Sequence, residues 1–144
     1  MNEKEIQIIS RLRKDARGSL ASISSEIQMP ISTVYDKISR FSKENIITKY
    51  TALVDFKKLG YHYQSKIALK VGSLDKLKLL SFLQSHPHIN SIYEINGGFD
   101  YFIETIHKDI KDYINFINNL KEDYTIIELH EYQIIEEIDR EKFI

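Results

Sequence analysis

The stretch ISTVYDKISRFSK, residues 31–43, has apolar side chains at helical spacing. Ile31, Val34, Ile38 and Phe41 follow the pattern of a helix with one buried side. The polar positions that then point outward are Ser32, Thr33, Asp36, Lys37 and Arg40. A helix that enters the major groove of DNA needs such a face, because hydroxyls, free backbone donors and cations bind phosphates and base edges. An ordinary solvated helix can carry the same mixture, so the neighbouring segments have to decide between the two.

Two shorter segments before this stretch are also predicted to be helices. Residues 3–14 carry apolar side chains along one helical side, namely Ile6, Ile8, Ile9 and Leu12. Ser19 is predicted to cap a second helix, which ends at Met29-Pro30 because proline disfavours helical geometry in the residue before it. Asn45 is expected to close the third helix, because asparagine tolerates the left-handed conformation. Three helices joined by tight turns predict a helix-turn-helix unit.

The segment after the third helix has a different composition. Residues 46–55, IITKYTALVD, are rich in β-branched and aromatic side chains and are predicted to form a strand, a wing or arm of the first unit. Gly60 is the predicted boundary between a first domain, residues 1–59, and a second, residues 60–144.

The second domain alternates strand-like and helix-like segments. Its predicted strands cover 62–71, 89–96, 99–107 and 124–136, and its predicted helices follow Leu74 and Asp109. The order β-α-β-β-α-β builds a four-stranded antiparallel sheet with both helices on one face, so the fold class is α+β with a ferredoxin-like second domain.

The third strand of that sheet is apolar on both sides. Phe99, Tyr101 and Ile103 occupy one side, and Phe102 and Ile106 occupy the other. The helix-free face of the sheet therefore needs a cover, and a second subunit's sheet would supply it. The sequence predicts a homodimer.

Composition limits the class of protein. The 144 residues contain no cysteine, which excludes disulfides, thiolate nucleophiles and cysteine zinc sites. No apolar run is long enough to cross a bilayer and the amino terminus is too charged for a secretory signal, so a cytoplasmic location is expected. Of the 20 Lys and Arg, 11 lie at or before Lys58, whereas only 7 of the 21 Asp and Glu do. The first part is thus basic and the remainder acidic, as in a polyanion-binding half joined to a half with another task.

Catalytic and metal-binding motifs are weak. The sequence holds no P-loop, HExxH or G-x-S-x-G motif. His86-x-His88 is a possible metal pair, but it brackets a proline and has no cysteine or carboxylate nearby in sequence. These two are therefore interpreted as surface histidines, and no metal, cofactor or enzymatic activity is predicted.

Four motifs in register resemble the Lrp/AsnC, or feast/famine, family of transcription regulators over about residues 5–136. The first is Ile8-Ile9 with Leu12 and Asp15-Ala16-Arg17, and the second is Met29-Pro30 with Val34, Lys37, Ile38, Arg40 and Phe41. The third is Ile46-Ile47, Tyr50, Ala52, Val54-Asp55 and Leu59-Gly60, and the fourth is the hairpin Asn96-Gly97-Gly98-Phe99-Asp100-Tyr101. The chain departs from the family pattern with lysine for arginine at Lys37, and with Gln28 and Asn45 where glycine is common.

The resemblance implies a DNA-binding regulator whose second domain is of the RAM or ACT-like kind. It implies a dimer that places two third helices in successive major grooves, and a larger ring such as an octamer. The implied DNA contacts are Arg17, Ser32, Thr33, Asp36, Lys37, Arg40 and Lys49. An amino acid or related metabolite would bind between dimers at Asn96, Gly97, Gly98 and Asp100, where simple hairpin chemistry is the alternative interpretation.

Two other functions are compatible with the sequence. One is a ligand-sensing oligomer whose helix-turn-helix no longer binds DNA, since Asp36 lies on the outward face. The other is an enzyme like the sirohaem decarboxylases, which share the two-domain plan, although such relatives are expected to carry tryptophan and this chain has none.

Overall fold

A computed structural model describes all residues from 1 to 144. The chain forms two compact units, one made of Met1–Leu53 with Ile138–Ile144, and the other of Val54–Glu137. The predicted boundary at Gly60 falls inside the second unit, at the end of a short 3-10 turn, Lys57–Leu59. None of the helices is both long and apolar enough to span a membrane.

The first unit is a bundle of three helices. They are α1, Glu3–Lys14; α2, Leu20–Ile27; and α3, Ile31–Lys43. Its buried core consists of Ile8, Ile23, Ile27, Val34 and Phe41. The three predicted helices are confirmed, but Ile6 and Ile31 are 43% and 50% exposed and do not belong to the core. Both lie beside the apolar face of their helix rather than at its centre.

Local capping chemistry explains where these helices begin and end. The Ser19 hydroxyl accepts a hydrogen bond from the Ser22 backbone N–H at the start of α2, as predicted. Gln28 and Asn45 follow α2 and α3 with φ of 50° and 55°, so both adopt the left-handed conformation that glycine adopts most easily. The prediction that Asn45 closes α3 is confirmed. Gln28 and Asn45, which stand where the family commonly has glycine, therefore both have a strained backbone conformation.

The prediction of a strand, or wing, over residues 46–55 is wrong. Residues 46–55 form no strand, and they make no hydrogen-bond ladder with any strand of the sheet. Ile46, Tyr50 and Leu53 are each at least two-fifths exposed. The composition that favours a strand is present, but the pairing partner that a strand requires is not.

The second unit has the predicted ferredoxin-like order. Its strands are β1, Tyr63–Val71; β2, Ile89–Glu94; β3, Tyr101–His107; and β4, Ile126–Gln133. Its helices are α4, Lys76–Ser85, and α5, Ile110–Asp123. The strands form one sheet in the order β2-β3-β1-β4, with every neighbouring pair antiparallel.

Both helices of this unit pack against one face of the sheet. Alternate residues of β1, such as Ile67 and Leu69, are buried against Leu79 of α4 and against Phe116 and Leu120 of α5. The helix-free face carries Phe102, which is paired across strands with Tyr93, together with charged side chains such as Lys66 and Glu104. That face is therefore a mixture of aromatic and charged side chains.

Candidate DNA interface and effector site

Helix α3 presents one side to the core and the other to solvent. Val34 and Phe41 are fully buried, and Ile38 is half-buried beside them. Ser32, Asp36 and Arg40 are exposed, and Thr33 and Lys37 are half-buried. The predicted division of α3 into a packed and an outward side is therefore present, apart from the exposed Ile31.

Two further side chains of α3 lie on its outward side. Tyr35 is 60% exposed, and Lys43 is exposed in the last turn. Sequence reasoning missed Tyr35 because aromatic residues are usually assigned to a core, although its position one residue beyond buried Val34 places it away from the apolar stripe. A phenol can both stack and donate a hydrogen bond, and the lysine adds positive charge.

The two predicted cations at the centre of α3 are held by a carboxylate of α1. Lys37 Nζ and Arg40 Nη2 each lie 2.7 Å from Glu5 Oε1. The other oxygen, Glu5 Oε2, accepts the Asn2 backbone N–H at 3.0 Å, and the Asn2 side chain accepts the Glu5 N–H in return. Glu5 thus takes part in the cap of α1 and also holds α1 against α3.

This network changes the electrostatics of the outward face. Because Lys37, the Asn2 backbone and Arg40 all donate to it, the pKa of the Glu5 carboxyl falls from 4.5 to about 2. The Lys37 side chain is only 20% exposed, whereas that of Arg40 is 46% exposed. Arg40 can therefore reach a ligand while it remains paired, because guanidinium carries five donors and Glu5 uses few of them.

The other two predicted DNA contacts lie outside α3. Arg17 is exposed in the turn between α1 and α2, where its backbone N–H donates to Asp15 Oδ1. Lys49 is exposed on the extended segment after α3. Both side chains are available to a polyanion.

The hairpin between β2 and β3 contains the predicted effector residues. Gly97 and Gly98 have φ of 87° and 96°, which side chains rarely adopt, and open space surrounds both α-carbons. The backbone of this turn can therefore be approached closely by another molecule.

Asp100 follows the turn and is already satisfied within the chain. Its Oδ2 accepts the Val71 backbone N–H at 2.9 Å, and its Oδ1 lies 3.3 Å from Lys76 Nζ. The Val71 hydrogen bond and then the Lys76 ammonium hold the pKa of Asp100 below its ordinary value. Lys76 also pairs with Glu94 at 3.2 Å, and these two carboxylates raise its own pKa. A pair of acids and one ammonium thus lie beside the glycine turn.

No family model matches. The HTH-type transcriptional regulator FL11 of Pyrococcus horikoshii is 28% identical over 118 residues, which is 82% of this chain and 78% of that protein. The HTH-type transcriptional regulator LrpC of Bacillus subtilis is 27% identical over 118 residues, 82% of each chain.

Solved structures show the same architecture. The structure of Bacillus subtilis LrpC superimposes with a TM-score of 0.87 at 27% identity and covers 96% of this chain and 97% of that one. The complex of the Neisseria meningitidis regulator NMB0573 with L-Met gives a TM-score of 0.88 at 15% identity, covering 97% and 93%. The latter likeness concerns the fold alone.

A three-helix DNA-binding unit followed by a ferredoxin-like unit defines a class of two-domain transcription regulators. The chain is similar over about four-fifths of its length to helix-turn-helix transcriptional regulators such as FL11 and LrpC, and it has the fold of the Lrp/AsnC regulators.

Proposed function

We propose that the exposed face of α3 binds the major groove of duplex DNA. The observation that carries this proposal is the composition of that face, which holds no buried apolar side chain and offers the hydroxyls of Ser32 and Tyr35 and the cations Arg40 and Lys43. Hydroxyls and cations bind phosphates, and side chains in the groove read base edges. A regulator with this role would work in the cytoplasm and needs no catalytic group.

The predicted contacts divide into two kinds. Arg17, Thr33 and Lys49 are proposed to hold the phosphate backbone, because they lie at the ends of helices or outside α3. Ser32 and Asp36 are proposed to face base edges, since they project from the first half of α3, the part that helix-turn-helix proteins place against bases. Asp36 would accept from a cytosine amino group.

The regulator is proposed to act as a homodimer, with a larger ring such as an octamer built from dimers. The helix-free face of the sheet supports the dimer, because Phe102 and the 58% exposed Tyr93 form an aromatic strip across β2 and β3. Aromatic side chains are enriched in interfaces between proteins, so this strip suits a symmetric contact between two copies. Two copies of α3 held by one dimer would read the two halves of a near-palindrome.

The effector is proposed to be an amino acid bound at the β2–β3 hairpin. The turn at Asn96, Gly97 and Gly98 would offer backbone donors to a carboxylate, and Asp100 would accept the α-ammonium. Asp100 already holds one ammonium, that of Lys76, so an amino acid would exchange one cation for another. L-Met in the Neisseria regulator supports this choice of ligand class.

Selection of bound sequences from random DNA, with and without a mixture of amino acids, tests both proposals. A regulator enriches one sequence family, and an amino-acid effector changes its enrichment. If no duplex is enriched at low salt under either condition, a ligand-sensing oligomer without DNA binding replaces the proposal.

A further inference from the structure

Three side chains that are distant in sequence converge at one edge of the second unit. His88 immediately precedes β2, His107 ends β3, and Asp112 lies in the first turn of α5. The antiparallel pairing of β2 with β3 brings the two histidines together, since the Ile106 N–H donates to the His88 carbonyl at 2.9 Å. The Asp109 side chain caps α5 by accepting the Asp112 N–H, which fixes the first turn of that helix.

The donor atoms of these side chains face one another. Asp112 Oδ2 lies 3.5 Å from His88 Nε2 and 3.4 Å from His107 Nδ1. All three potential donor atoms lie within 4.8 Å of one another. Zinc bonds of about 2.1 Å in tetrahedral geometry separate their ligand atoms by roughly 3.4 Å. The two observed separations match that spacing, and a small tilt of the stacked imidazoles would bring the third into range.

Hydrogen bonding leaves a lone pair on Nε2 of His88. His88 Nδ1 lies 2.8 Å from the Ile106 carbonyl oxygen, which can only accept, so Nδ1 carries the proton and Nε2 is free to coordinate. A metal-ligating histidine is usually oriented through its other nitrogen in this way.

His107 is the more unusual member. It is fully buried, and neither of its ring nitrogens makes a well-formed hydrogen bond, since its nearest acceptor is Asp112 Oδ2 at 3.4 Å from Nδ1. Buried polar atoms without partners are uncommon and costly. The His107 ring is held in place by stacking on His88 and by edge contact with the ring of Tyr113.

We propose that His88, His107 and Asp112 form a site for a divalent ion of the zinc type. Two imidazoles and one carboxylate suit Zn²⁺ and its neighbours in the transition series, whereas Ca²⁺ and Mg²⁺ prefer oxygen ligands throughout. His88 and Asp112 are 26% and 33% exposed, which leaves an entry path and an open position for water. Bound metal would join the start of β2, the end of β3 and the start of α5.

Titration calorimetry with ZnCl₂ on tag-free, chelator-treated full-length protein tests the site, in the absence of DNA and amino acids. Wild-type protein is expected to bind one Zn²⁺ per chain and to melt at a higher temperature with Zn²⁺ present. Co²⁺ should give the visible absorption of a tetrahedral site with imidazole ligands.

The variants His88→Gln and Asp112→Asn should each weaken Zn²⁺ binding by at least about tenfold, because each removes one of three ligands. Both positions are partly exposed, so the variants should fold, and circular dichroism verifies this. His130→Asn is the matched control, since His130 also pairs with a carboxylate, Glu128, at 3.0 Å but has no third ligand.

Two results would overturn the proposal. One is the absence of binding heat, of a melting shift and of a Co²⁺ spectrum with wild-type protein. The other is Zn²⁺ affinity that survives both cluster variants, whether or not it falls in His130→Asn. Neither result bears on DNA binding, which is measured separately.

Discussion

Lys37 and Arg40 share the carboxylate of Glu5, and the structure predicts that they differ in their contact with DNA. Lys37 is mostly covered, and its single ammonium is committed to Glu5, whereas Arg40 is 46% exposed and has donors left over. Arg40→Ala should therefore remove a phosphate contact, and Lys37→Ala should not.

The size of the expected change in salt dependence follows from counterion release. Each phosphate contact contributes about 0.9 to the slope of log affinity against log salt. For Arg40→Ala the loss of affinity between roughly 50 and 200 mM salt should accordingly be about 3.5-fold smaller than for wild type. Lys37→Ala should keep the wild-type slope and lower the thermal stability of the first unit instead.

Fluorescence anisotropy with a selected duplex, measured over a salt series, is the appropriate assay. Lys111→Ala is the control, because Lys111 is an exposed lysine of α5 in the second unit. If Lys37→Ala flattened the slope as much as Arg40→Ala, Lys37 would have to leave Glu5 and contact phosphate, and the reasoning from burial would be refuted.

Three other changes test the units separately. Phe41→Ala should cost the first unit about 3–5 kcal/mol, which is comparable to the whole stability of so small a unit, so urea unfolding followed by circular dichroism should show an early first transition and an unchanged second one. The pKa of the Glu5 carboxyl is about 2 in the folded chain and 4.5 otherwise, so its contribution to the free energy of unfolding is complete above pH 4.5 and is lost as the pH falls toward 2. Glu5→Gln should remove that part of the pH dependence of stability. If wild type and Glu5→Gln lost stability in acid identically, the Glu5 network would be contradicted. Asp100→Ala should abolish any amino-acid effect on DNA binding while leaving binding by dimers intact, and a retained calorimetric response to amino acids would exclude Asp100 as the ammonium partner.

Periodicity predicted the helices well because burial of one helical side is a local property. The bounds of α3 agree with the predicted stretch, and the buried pair Val34 and Phe41 lies where the apolar stripe places it. Ile31 is an exception, because it has the helical spacing of a core residue and is nevertheless exposed. It lies at the margin of the apolar face of α3 and is half exposed, which the spacing alone does not reveal.

The strand prediction for residues 46–55 was wrong for a different reason. β-Branched composition describes a segment that fits a sheet, but a strand also needs a neighbour. The outer strands of the sheet, β2 and β4, each have a free edge, but residues 46–55 pair with neither. Composition cannot report the absence of a partner.

The functional sites were predicted unevenly. The hairpin glycines were evident from sequence, whereas the role of Glu5 depends on where α1 meets α3. Its only local signal was the capping pattern of Asn2 and Glu5. The pairing of His88 with His107 could have been inferred, because an antiparallel hairpin places the start of one strand beside the end of the other.

The end of the chain returns to the first unit. Arg13 Nε donates to the Phe143 carbonyl at 2.9 Å, and Arg13 Nη2 lies 2.9 Å from Glu141 Oε2. Residues 138–144 therefore pack with the helices of the first unit, although the whole sheet of the second unit lies between them in sequence. A fluorophore attached to a side chain within residues 138–144 would therefore report on the helix-turn-helix unit and not on the sheet that precedes those residues in sequence.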